Sequence, residues 1–297
     1  MAGLSFVITC SNTVKAELAV QSRPVLVTNA VEFEMHDNFA KQDEPAYQTR
    51  RIYVSVPDSE VPDAGFPVIF LLDANACFRP VAEQIRLASR HPKGIQPAIL
   101  VGIGYDITEP YDTKRRWYDF TPATALPAKQ PLAHMRRNGP VNYGGAAALG
   151  EFIEKQLKPW LAAHYDVDKD NYTLNGHSLG GLFTLNTLLN NPGYYQHFIA
   201  VSPSLWWHDN HLLNQLKQTW HDSPALLERQ LNQKHLSVYV GGEEREVMLP
   251  DAKQFMRYIE TFVETKGVIE LNHLNHGLVV QPAIAHGLLQ ALPKQTE

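Results

Sequence analysis

Apolar residues along this chain gather into short continuous runs separated by polar turns, and in the later part those runs alternate with stretches of helical period. The runs predict strands at 31–35, 51–56, 67–72, 98–102, 172–174, 198–201, 236–240 and 268–274. Several are apolar at successive positions, which suits a sheet covered on both faces. Phe152, Ile153, Leu157, Trp160 and Leu161 mark one helical face, and Phe255, Met256, Ile259 and Phe262 mark another. Strands come first, then strand and helix in alternation. The predicted fold is therefore α/β: a mostly parallel eight-stranded sheet with an antiparallel start and helices on both faces.

Two stretches interrupt the alternation. Residues 105–147, rich in Pro, Arg, Ala and Gly, form a long insertion after the fourth strand, and residues 203–235 carry Trp206, Trp207 and Trp220. Connections of this length are commonly functional. If both leave the carboxyl ends of strands, where open α/β sheets bind ligands, both overhang the same site.

Composition narrows the possibilities. A chain of 297 residues with 44% hydrophobic content can bury a full core, and one α/β domain over 1–297 is the simplest division. The net charge of −5, with Lys and Arg scattered, offers no basic stripe for nucleic acid. No apolar run approaches the roughly 18 residues of a membrane span. Cys10 and Cys77 are too few for a disulfide framework or thiolate metal site and read as small buried hydrophobes. Residues 1–10 have no Lys or Arg and too short an apolar run for a secretory leader. The start reads as mature and the protein as cytoplasmic, or periplasmic if a leader was removed.

Candidate chemistry centres on Gly176-His-Ser178-Leu-Gly180-Gly181, a G-x-S-x-G pattern between a short β-prone run and the helical stretch Leu182 to Leu189, which Asn191-Pro192 stops. Such a turn exposes a serine nucleophile. Glycines at 176 and 180 relieve crowding around it, and Gly181 lets the next helix pack closely. A serine hydroxyl needs a base, and the base needs an acid that fixes its tautomer. In the order serine, acid, histidine, the turn Gly241-Gly-Glu-Glu244 supplies Glu244 as first choice and Glu243 as second, and His276-Gly277 after the last strand supplies the base. His273 and His286 read as surface or packing histidines. The oxyanion would meet the N–H of Leu179 and that of Asn75, in the turn after the third strand, which Asp73 would anchor. The pairs His208/His211 and His273/His276 lack the further ligands of a metal site, so neither metal nor other cofactor is expected. Arg115 and Arg116 beside Trp117, Tyr118 and Phe120 suit an anionic or aromatic acyl group, with Trp206 and Trp207 as an opposing wall; the alternative is that they brace the insertion.

From about Arg51 to Leu292 the chain resembles the esterase-D-like branch of the α/β-hydrolases, which includes bacterial siderophore trilactone esterases. The marks are Phe70-Leu-Leu-Asp-Ala-Asn75, Arg115-Arg-Trp-Tyr-Asp-Phe-Thr-Pro122, Leu157-Lys-Pro-Trp-Leu161, Asn175-Gly-His-Ser-Leu-Gly-Gly181, Ser202-Pro-Ser-Leu-Trp-Trp207, Val240-Gly-Gly-Glu-Glu244 and Asn275-His-Gly277. The resemblance implies an α/β-hydrolase fold and a cofactor-free serine esterase acting on a small-molecule ester or lactone. It puts Ser178, Glu244 and His276 in the triad positions and Arg116 in a substrate-facing one. An acyltransferase with the same triad, or a binding module on a hydrolase fold, are the alternatives. Ala74 stands where relatives commonly have glycine, and Leu278-Val279 replace small polar residues after the histidine.

Overall fold

In the computed structural model the described residues are 26–41, 47–92, 94–124 and 142–294. The N-terminal start, Cys10 and the middle of the insertion, 125–141, lie outside them. The strands are β1 (Ala30–His36), β2 (Thr49–Ser55), β3 (Phe66–Leu72), β4 (Ile99–Gly104), β5 (Val167–His177), β6 (His197–Val201), β7 (His235–Gly241) and β8 (Glu264–Leu271). They form one sheet in the order β1-β2-β4-β3-β5-β6-β7-β8. β2 runs antiparallel to β1 and to β4, and the neighbours from β4 through β3 to β8 are parallel. All eight predicted strands are present. Boundaries differ most in β5, which begins earlier than its three-residue apolar signal, and in β8, which stops before His273.

Burial explains the strand patterns. β3 is buried at every position, as expected of a central strand. Its side chains alternate between two cores. Val68, Phe70 and Leu72 pack with Leu149, Phe152, Leu182 and Phe255, whereas Ile69 and Leu71 pack with Phe78, Val81, Ile284 and Leu288. Helices α1 (Ala74–Ala88) and α9 (Val280–Ala291) cover the second face. The first face is covered by α3 (Ala146–Phe152) and α4 (Lys158–His164), joined by a π-helical turn at Ile153–Leu157, and by α5 (Leu179–Asn190), α6 (Trp207–Asp222), α7 (Pro224–Leu231) and α8 (Met248–Ile259). The stretch 203–235 is thus mostly two helices rather than an irregular connection.

Among the described residues the insertion is fastened to the sheet. A short helix, α2 (Arg115–Asp119), is buried against β2 by charge. Arg50 is fully buried and spans Asp37 at 2.6 Å and Asp119 at 2.7 Å, while Arg115 Nη2 donates to the Tyr47 carbonyl at 2.7 Å. Buried charges persist only when paired in this way. Burial works against the Arg50 cation, and the two aspartates overcome it and raise its pKa.

Candidate active site

Ser178 sits between β5 and α5 with φ 59° and ψ −115°, a conformation an L-residue adopts only at a cost of about 1–3 kcal/mol. The turn is held by Ser178 N–H donating to the Val201 carbonyl at 2.9 Å. Gly176 is required for close packing, since a Cβ there would lie 2.2 Å from the Gly180 carbonyl oxygen. Gly181 lets β6 approach, because its Cβ would meet the Val201 oxygen at 2.9 Å. Gly180 differs from the expectation: a Cβ would make only ordinary contact with Leu72 at 3.5 Å, so crowding at the elbow is relieved by its neighbours.

The loops after β7 and β8 run side by side. Glu243 N–H donates to the Leu274 carbonyl at 3.0 Å, and a Cβ on Gly241 would lie 2.3 Å from that same oxygen. Glycine at 241 therefore permits the approach that brings an acid to a histidine. His276 Nδ1 and Glu244 Oε2 are 2.6 Å apart, with side-chain exposures of 44% and 2%. Glu244 Oε1 accepts from Gly241 N–H at 2.7 Å and from Ser202 Oγ through a short bond. Burial pushes the Glu244 carboxyl up, but hydrogen bonds from His276, Ser202 and Gly241 outweigh it and hold its pKa below the ordinary value. Glu243 stands 3.9 Å from His273 with both side chains largely in solvent, so the two acid candidates face different histidines.

His177 precedes Ser178 and lies against His276, ring centroids 4.5 Å apart. Burial, then the proximity of His276 and Arg116, lowers its pKa to about 3, so it is a neutral ring at the back of the site. Ser178 Oγ is 3.2 Å from Ser204 Oγ.

The turn after β3 is also strained. Asp73 has φ 54°, and its buried carboxylate takes both Nε of Arg116 at 3.1 Å and Nη2 at 2.8 Å. Asn75 uses its side chain as a clamp, donating to the Tyr105 carbonyl at 2.9 Å and accepting from Tyr105 N–H at 2.8 Å. Its backbone N–H, like that of Leu179, lies in the first turn of a helix, where no preceding carbonyl of the helix can accept it. Ala74 fits because position 102 is glycine, whose Cβ would lie 2.7 Å from that of Ala74.

Other sequence candidates divide. Arg116 reaches the site, but its fork grips Asp73 and braces the insertion onto the turn after β3; of its nitrogens only Nη1 keeps both N–H groups clear of that pair. Trp206 is part-exposed, edge-on to Trp117 at 6.4 Å and faced by the exposed Arg245 at 5.7 Å. Trp207 is 2% exposed and packs among Tyr143, His208 and His211, so it is a core residue and not a wall. Leu278 is exposed, whereas Val279 belongs to the core under α9. Among the described residues no group of three His, Cys, Asp or Glu side chains is placed to hold a metal, and no helix is long and apolar enough to cross a membrane. Ser202, Ser204 and Arg245 have no role that the pattern of the chain assigns. The two serines lie inside the Ser202-Pro-Ser204 segment that marks the family resemblance, and a rare positive φ at serine is invisible in sequence.

Comparison with known proteins identifies the family. Residues 46–277 match the Esterase family ("Putative esterase"). The chain is 44% identical over 168 residues to the ferri-bacillibactin esterase BesA of Bacillus subtilis, covering 56% of this chain and 57% of that relative's length. It is 33% identical over 219 residues to the siderophore triacetylfusarinine C esterase of Aspergillus fumigatus, covering 69% and 68%. In three dimensions it resembles the BES protein from Bacillus cereus with a TM-score of 0.81 and 29% identity, over 93% of this chain and 100% of the other. The named relatives are esterases, and the acyltransferase alternative finds no support among them. By sequence match, sheet order and the serine turn at its centre, this chain belongs to the esterase family and has the α/β-hydrolase fold.

Proposed function

We propose that this protein is a serine esterase that opens an ester or lactone through an acyl-enzyme, with Ser178 as nucleophile, His276 as base and Glu244 as the acid that orients it. The observation that carries the reading is the 2.6 Å contact of a buried, anion-stabilised Glu244 with His276, beyond the carboxyl ends of the parallel strands, where the strained serine also lies. His276 Nε2 takes the Ser178 proton as Oγ attacks the carbonyl, and the Glu244 charge stabilises the imidazolium that forms. The bond between Ser178 and His276 closes as substrate engages, as catalytic hydrogen bonds commonly do. The tetrahedral oxyanion is met by the N–H groups of Leu179 and Asn75. Collapse expels the alcohol with the proton from His276, and water repeats the sequence to release the acid.

The relatives' names direct the substrate reading to a siderophore, and the family resemblance of the motifs extends it to a trilactone. Arg116 Nη1 on one side and Arg245 over Trp206 on the other would suit an anionic, ring-bearing acyl group. We further propose one domain whose insertion, 105–147, covers this substrate. A fluorophosphonate should label the wild type at Ser178, and Ser178→Ala should fold normally yet lose several orders of magnitude in hydrolysis of an ester and lactone panel. Labelling confined to another serine, or an active folded mutant, would overturn the assignment.

A further inference from the structure

The turn that follows β6 touches both ends of the proposed triad. Ser202 is fully buried with φ 43°, in the left-handed region where serine is uncommon. Its N–H donates to the Tyr239 carbonyl at 2.7 Å, and its hydroxyl donates to Glu244 Oε1. Two residues on, Ser204 is 1% exposed, its N–H donates to the Ser178 carbonyl at 3.0 Å, and its hydroxyl lies 3.2 Å from Ser178 Oγ. Pro203 between them packs where Gly181 lacks a side chain, a Cβ there being 3.0 Å from Pro203 Cα.

We propose that Ser202 and Ser204 are positioning residues of the hydrolytic site, one turn supplying a hydroxyl to the acid and another to the nucleophile. Left alone, a glutamate beside a histidine can rotate about its last torsion and present either oxygen. With Oε1 held by Ser202 Oγ and Gly241 N–H, only Oε2 faces Nδ1 of His276. The carboxylate plane, and with it the ring, is set before substrate arrives. At the other end, Ser204 holds the Ser178 hydroxyl in one rotamer while its N–H fixes the peptide plane of the elbow. The strain at Ser202 has a local purpose, because a left-handed residue after β6 turns the hydroxyl back toward the loop after β7.

This inference rests on the triad reading, and the experiment separates the two. Steady-state constants would be compared for Ser202→Ala, Ser202→Gly, Glu244→Ala and the double variant Ser202→Ala/Glu244→Ala, with melting temperatures alongside. Both Ser202 variants should lower kcat about ten- to a hundredfold with KM nearly unchanged, the loss expected for one hydrogen bond to a charged group. Glycine accepts the positive φ without strain, so a purely conformational role predicts near-normal activity for Ser202→Gly and would overturn the proposal. With Glu244 already removed, Ser202→Ala should change kcat less than about twofold, because coupled residues are not additive. Additive losses would mean a general structural role and would also overturn it. If Glu244→Ala were itself harmless, the failure would belong to the triad. For Ser204→Ala, fluorophosphonate labelling of Ser178 should slow about three- to tenfold, the worth of one neutral hydrogen bond. An unchanged labelling rate would remove Ser204 from the proposal.

Discussion

Two glutamate–histidine pairs lie on the same two loops, the glutamates adjacent and the histidines three residues apart, and only one has a buried acid. Glu244 and His276 meet at 2.6 Å, the acid almost wholly buried and held by two further donors. Glu243 and His273 lie 3.9 Å apart with 64% and 92% of their side chains exposed. Residue types are the same, so they do not create the difference. What does is the direction of successive side chains: Glu243 leaves the loop toward water, and Glu244 turns back beneath it to meet the turn after β6. The exposed pair makes a screened contact of little worth, whereas the contact of the buried acid is strengthened by its surroundings.

The sharpest way to break this comparison is to disable each pair in turn. His276→Ala should abolish hydrolysis by about 10⁴-fold or more, whereas His273→Ala should change kcat less than about twofold. Glu244→Gln should cost up to about 10⁴-fold in kcat with KM little altered, against no more than a twofold change for Glu243→Gln. Rates on a simple ester, with circular dichroism to verify folding, decide it. The reverse order for the glutamates would transfer the role to Glu243. Two mild effects would mean that a Ser178–His276 dyad suffices.

That Glu244 and not Glu243 takes the inward place was only a preference in the sequence. Alternating side-chain direction cannot be counted through a turn containing Gly241-Gly242, whose dihedrals are not set by residue type. The strands were legible because a short run of apolar side chains, pointing alternately to opposite sides, hides from water only in a sheet covered on both faces. The elbow was legible because glycine at 176 answers to a carbonyl 2.2 Å away. Trp207 was misplaced because a tryptophan in a loop-like stretch reads alike whether it lines a cleft or fills a core. Arg116 was half legible: the family resemblance placed it at the site and bracing was the open alternative, but its carboxylate partner, Asp73, is 43 residues away. Ser202 and Ser204 stood inside a motif of the family, but nothing in that motif assigned their hydroxyls a task, since small polar residues after a strand are ordinary turn formers.

Arg116 tests whether burial also governs an arginine–aspartate pair at the opposite side of the site. Removing it leaves Asp73, 3% exposed, without its partner, so Arg116→Ala should lower the melting temperature, with a loss of about 3–5 kcal/mol if the site does not relax. Beyond that, kcat/KM for anionic acyl groups should fall by a further ~1.5–3 kcal/mol relative to small neutral esters, if Nη1 binds them. Arg116→Lys should recover little of either, because an ammonium lacks the planar fork. Equal losses on every substrate would confine Arg116 to bracing the turn after β3.

The smallest expected effects concern acid stability. Burial, with His276 and Arg116 nearby, lowers the pKa of His177 from 6.5 to about 3, and burial, with His235 and Lys234 nearby, lowers that of His197 to about 4. Between those values and 6.5 the unfolded chain binds protons that the folded chain refuses, so stability must decline as pH falls from 6.5 toward 4. Glu244 adds its own share lower down: its folded pKa is depressed, so its contribution is present above the unfolded value and is lost as pH falls through the folded one. His177→Asn and His197→Asn should each flatten the slope of unfolding free energy between pH 6.5 and 4, by at most about 1.4 kcal/mol per pH unit. Only the first should also impair hydrolysis, because only His177 lies against the base. Disrupting the solvent-facing pair with Glu243→Gln should leave unfolding free energy within about 0.5 kcal/mol of wild type at every pH, as exposed ion pairs are worth little. Denaturant titrations across that range measure all three, and a slope unaffected by His177→Asn would mean that this ring accepts its proton in the folded protein after all.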